Sequence, residues 1–136
     1  MELTFTGHRP HHSAFAIMNA PPRSDAYLVP EGAAKVVYEK DTRISNAGQF
    51  TILREDHTVA NLIRMQLLRD KNVTFAGYQH PHPLVNDVKV RIQTNNNSTP
   101  IHALSNCLDD LSIEFDELAH IFRKLTGNTK DQGGFS

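Results

Sequence analysis

Imidazoles beside carboxylates are the side chains in this sequence with the readiest chemistry. His57 follows Asp56, and His80 and His82 precede Asp87, a set from which general acid–base catalysis can be built. The rest of a catalytic apparatus is missing. There is no Gly-rich phosphate loop, no nucleophile elbow and no second cysteine to give zinc a thiolate pair. His57 therefore reads as part of a helix start and His82 as a packing residue at a strand end. His8, His11 and His12 lie in a carboxylate-poor stretch that suits incidental metal affinity better than a built site. Neither a metal nor a cofactor is expected. Lys89, Arg91 and Gln93 could make a small polar strip on an open sheet face. No aromatic residue interleaves with them as a single-strand stacking platform requires, so a solvated face is expected.

The elements that would carry these residues follow from periodicity. Asp56 and Thr58 are N-cap candidates for a helix running to about Asp70, rich in good helix formers and free of Gly and Pro. At about 100° per residue, Val59, Leu62, Ile63 and Leu67 make one apolar stripe. Leu68 projects opposite Val59, beside Asn61 and Arg64, where a helix lying on a single sheet has no use for it. Strands are expected over 35–40, 49–54, 73–79 and 87–94. In the last, Val88, Val90 and Ile92 alternate with Lys89, Arg91 and Gln93, the pattern of an antiparallel sheet with one wet face. Gly77 suggests a bulge or a close approach of another backbone. His80-Pro81-His82-Pro83 should end the ladder, since proline donates no hydrogen bond. Upstream, the Pro-rich stretch 19–30 should run extended, with Tyr27, Leu28 and Val29 pressing on the core.

Thr99 as N-cap and Pro100 at the first helical position open the longest element. Leu104, Leu108, Leu111, Phe115, Leu118, Phe122 and Leu125 follow at alternating spacings of four and three, an unbroken heptad stripe, and Gly127 supplies a left-handed stop. Such a helix is roughly 40 Å long, against ~20 Å for the strands beneath it. Leu104 and Leu108 are thus expected over the sheet, and Leu118 and Phe122 beyond it. Side chains worth ~1.5–3 kcal/mol each on burial are too many to leave in water, so another chain should cover them. A heptad does not say whether that chain is a second copy or a different protein.

Composition agrees with a protein partner. The 136 residues fit one domain, and 14 basic against 15 acidic residues give a net charge of -1, without the basic field of a dedicated nucleic-acid binder. A single cysteine, Cys107, rules out an internal disulfide framework and reads as a small packed hydrophobe. No run approaches the ~18 apolar residues of a membrane span.

Several motifs together resemble a known family. Glu55-Asp56-His57-Thr58 with Asn61-Leu62-Ile63, then Leu67-Leu68-Arg69-Asp70, Phe75-Ala76-Gly77-Tyr78 and His82-Pro83-Leu84 look like the signature of the small alpha-like subunit of RNA polymerase. Met18-Asn19-Ala20-Pro21, Asp41-Thr42 and Asn46-Ala47 are similar to the polymerase II branch in particular, and Arg91-Ile92-Gln93-Thr94 extends the likeness. Ala60 stands where the family usually has Gly, which should favour the helix by up to ~1 kcal/mol. The resemblance implies an α+β fold, a four-stranded, mainly antiparallel sheet with two helices on one face, the C-terminal one long. The domain would span 18–127, with 1–17 an extension expected to lack order and 128–136 a flexible tail. The implied role is non-catalytic: a nuclear subunit that pairs helix to helix with the larger alpha-like subunit, the third subunit of polymerase II. That heterodimer would be the platform on which the two large catalytic subunits assemble, without sequence-specific contact to nucleic acid. The interface is assigned to Leu62, Met65, Leu68, Leu108, Leu111, Phe115, Leu118 and Phe122. The alternative branch is the related subunit shared by polymerases I and III. The competing enzyme, a pterin carbinolamine dehydratase, has adjacent His-His-Pro where Pro81 here splits the histidines.

Overall fold

The computed structural model describes residues 22–131 of the chain, so the expectation for 1–17 lies outside the described residues; of the tail expected over 128–136, residues 128–131 continue the last helix and only 132–136 lie outside. After a short 3-10 turn at Arg23–Ala26 come β1 (Val36–Lys40), β2 (Ala47–Leu53), α1 (His57–Leu67), β3 (Val73–Gln79), β4 (Asp87–Thr94) and α2 (Pro100–Asp131). The four strands form one sheet in the order β1-β2-β4-β3, every neighbouring pair antiparallel.

Alternation along β4 places the core. Val88, Val90 and Ile92 are fully buried on one face, flanked in register by Ile52 and Phe50 of β2 and by Tyr78 and Ala76 of β3. Both helices close that same face: α1 contributes Ala60, Ile63 and Leu67, and α2 contributes Ala103, Leu104, Cys107 and Leu111. Ala60 is completely buried, so its methyl group packs inside this chain's own core.

Each helix starts as its sequence dictates. The Asp56 carboxylate accepts from the Thr58 amide at 2.9 Å, and the Thr99 hydroxyl accepts from the His102 amide at 3.3 Å ahead of Pro100. In the sheet, Gly48 is required by a close approach. A Cβ there would stand 2.3 Å from Cε2 of Tyr38, whose ring is held against Phe50 with centroids 4.8 Å apart. Gly48→Ala is accordingly expected to destabilise the fold by ~1–3 kcal/mol, read from chemical denaturation.

Five expectations need correction. Tyr27 and Leu28 do not press on the core: both are exposed, and the Pro-rich segment turns at Arg23–Ala26. β2 ends one residue early because Arg54 adopts a left-handed conformation, its φ at +57°. Gly127 does not stop α2, which continues to Asp131 with no positive φ at that glycine. The approach at Gly77 is made by the Phe75 ring, not by another backbone, and the register shift lies between Val73 and Phe75. That bulge turns Phe75 onto the open face opposite Gln93, so an aromatic ring does flank the polar strip there. The guanidinium of Arg91, in turn, is occupied by Asp41.

Candidate partner interface

Burial divides α2 into two halves. Among its described side chains, every buried one of the helix lies between Pro100 and Leu111. The core therefore ends about 18 Å along a helix that runs on for roughly 48 Å. Beyond Leu111, the apolar residues Ile113, Phe115, Leu118, Ile121, Phe122 and Leu125 are all at least 46% exposed. On α1, Met65 and Leu68 are about half exposed on the side away from the sheet, and Leu62 is half-buried. The helices are tied where their exposed faces meet: the Gln66 amide donates to Asp110 at 3.5 Å and Arg69 pairs with Glu114 at 3.3 Å.

Two residues of the sequence-based assignment need correction. Leu111, assigned to the interface, is buried in the chain's own core, whereas Leu108, expected over the sheet and also assigned to the interface, is 45% exposed. The heptad stripe merges two faces about 60° apart on the helix. Ala103, which counting leucines overlooked, lies in the core with Cys107, buried as its reading as a small packed hydrophobe expects. Burial pushes the Cys107 thiol up to about 11, with Asp110 adding to the effect, so it stays a protonated packing group. Ile113 and Ile121 were missed because neither falls on the heptad; their exposure alone reveals them.

Two histidines, His57 and His80, meet elsewhere, at the N-terminal end of α1. His57 Nδ1 lies 3.1 Å from the Tyr78 hydroxyl, and its ring is 5.3 Å from that of His80. His80 Nε2 is buried and has no partner among the described residues. His82 does not pack as expected; it is exposed, and its Nδ1 accepts from the Leu84 amide at 3.2 Å. Asp87 belongs to a different network, accepting from the Arg54 amide. No main surface cleft among the described residues is lined by either His57 or His80, and no three described His, Cys, Asp or Glu residues converge as a metal site. Of the other signature residues, Glu55 bridges Lys35 at 2.7 Å, Asn61 accepts from Arg64 at 2.8 Å, and Pro83 is exposed on the loop. The hydrogen bond from the Thr58 amide holds the Asp56 carboxyl below the usual carboxylate range. A depressed folded pKa means that the cap's stabilisation is present above the unfolded carboxylate value and is lost as pH falls through the folded one. Asp56→Ala should remove ~0.5–2 kcal/mol at neutral pH, toward the low end at this exposed position, and flatten that acid limb in pH-dependent unfolding.

A sheet closed on one side by two helices, one overhanging with its apolar face bare, defines a pairing domain that completes its surface on another protein. Residues 47–120 match the RNA polymerase Rpb3/Rpb11 dimerisation domain, and the chain belongs to this family. It is 51% identical over 105 residues to DNA-directed RNA polymerase II subunit rpb11 of Dictyostelium discoideum, covering 77% of this chain and 88% of that one. It is 42% identical over 123 residues to the probable RPB11 subunit of Caenorhabditis elegans, covering 88% of this chain and all of that one. A crystal structure of DNA-directed RNA polymerase subunit L from Thermoplasma acidophilum shares the fold, with a TM-score of 0.59 at 18% identity over 75% of this chain and 100% of that one.

Proposed function

We propose that the chain is a non-catalytic subunit of DNA-directed RNA polymerase II that heterodimerises with the larger alpha-like subunit. The heterodimer is the platform on which the two large catalytic subunits assemble in the nucleus. The observation that carries the reading is the bare apolar half of α2 in a domain whose sequence matches a dimerisation family. The polymerase II branch is preferred to the subunit shared by polymerases I and III because the relatives at 51% and 42% identity bear polymerase II names. The partner surface comprises Leu62, Met65 and Leu68 of α1 with Leu108, Phe115, Leu118 and Phe122 of α2; Leu111 supports it from beneath. Contiguous exposed apolar surface of this kind drives association. The chain expressed alone is expected to aggregate or self-associate, and co-expression with the larger alpha-like subunit to render it soluble. An affinity-tagged chain recovered from nuclei should bring down that subunit and the two large polymerase II chains. Recovery with polymerase I and III subunits instead would reassign the branch, and recovery of none would overturn the reading.

A further inference from the structure

The stretch of α2 where the core ends and the apolar overhang begins is acidic as well as apolar. Asp109, Asp110, Glu114, Asp116 and Glu117 stand within one short stretch that contains no Lys or Arg, and basic residues return only at Arg123 and Lys124. At about 100° per residue, Asp110, Glu114 and Glu117 make a row along one edge of the apolar stripe, and Asp109 and Asp116 make a second row on the other side. Helix α1 reaches only the start of the first row, through Gln66 to Asp110 and Arg69 to Glu114. Asp109, Asp116 and Glu117 form no ion pair among the described residues. Like charges at these spacings work against an isolated helix. Beside an apolar seam, they also decide what can lie across it.

Two copies of this chain meeting through the stripe would set acid against acid. An antiparallel pairing that brought Arg123 and Lys124 to Asp109 and Asp110 of the second copy would still bring Asp116 and Glu117 of the two copies together at the centre, with Glu114 opposite Ala119. We infer that the acidic rows edging the overhanging stripe of α2 select a helix of a different chain, apolar along its seam and edged with Lys or Arg, and discourage self-pairing. This rests on the reading of the stripe as a heterodimer surface. Apolar burial supplies the affinity, while the charges supply choice of partner and rate of encounter.

The test uses the full chain with the larger alpha-like subunit, and a variant carrying Asp116→Asn and Glu117→Gln, which removes two charges with little change of shape. For the wild type, association should slow ~10-fold as salt rises from ~0.05 to ~0.5 M, as steering by opposite charges requires. Over the same range, self-association of the chain alone, followed by analytical ultracentrifugation, should rise. The variant should associate several-fold more slowly at low salt, with a shallower salt dependence, and should self-associate more readily than the wild type. Association and self-association rates indifferent to both salt and substitution would overturn the inference. Phe122→Asp separates this from the underlying reading. Loss of pairing in Phe122→Asp beside a charge variant that behaves as wild type removes only the charge inference, whereas normal pairing of Phe122→Asp removes both.

Discussion

Phe122→Asp and Leu118→Asp are expected to abolish pairing with the larger alpha-like subunit while leaving the fold of the single chain nearly intact. Both side chains stand beyond Leu111, the last buried residue among the described side chains of α2, and are 60% and 48% exposed. No intramolecular packing is lost when they are replaced, and surface changes away from packed features usually stay within ~0.5 kcal/mol. In the heterodimer the same positions face the partner's apolar surface, where an unpaired carboxylate is penalised by several kcal/mol, equivalent to a loss of affinity of a hundredfold or more. Co-purification measures the pairing, and circular dichroism of the single chain measures the fold. Collapse of the helical signal in either variant would mean that the distal half folds back on its own sheet.

The second large effect lies at the other end of the same helix. Leu104→Ala, and Leu67→Ala on α1, should each cost about 2–5 kcal/mol of stability, because both side chains are almost fully buried in the core and their loss leaves a cavity that close-packed neighbours cannot refill. Leu108→Ala, one helical turn from Leu104, should cost much less in the isolated chain, since nearly half of that side chain is already in water. Its effect should appear in pairing instead. Denaturant midpoints for the three variants check the order. A Leu108→Ala loss as large as that of Leu104→Ala would show that the sheet-facing side of α2 is placed wrongly here.

How much of this was legible in the sequence depends on the element. β3 and β4 were bounded at Val73–Gln79 and Asp87–Thr94 from the sequence alone, because β4 alternates strictly and the residues flanking both strands are strand breakers. The overhang was legible too, since it needs only a comparison of helix and strand rise. What failed was finer than one residue of period. Successive stripe positions three residues apart lie about 60° from each other around the helix, so the heptad united Leu108 with Leu111 although only Leu111 is buried against the core. The small Ala103 carries burial without announcing it in a count of large hydrophobes. Phe75 changed face through a bulge, which breaks period-two reasoning by one residue. Gly127 shows that a glycine permits a left-handed cap without imposing one. The histidines were read by type, and type alone could not tell that His57 would meet Tyr78 and His80 while His82 stayed in solvent.

Amide hydrogen exchange of the chain, free at high dilution and bound to the larger alpha-like subunit, tests the central claim most directly. The account predicts that amides of α2 beyond Leu111, together with those around Met65 and Leu68 of α1, gain strong protection on binding, while those of β2 and β4, already locked in the sheet, change little. Protection confined to the open sheet face or to the His57–Leu84 end, with the distal half of α2 still exchanging as in the free chain, would contradict it.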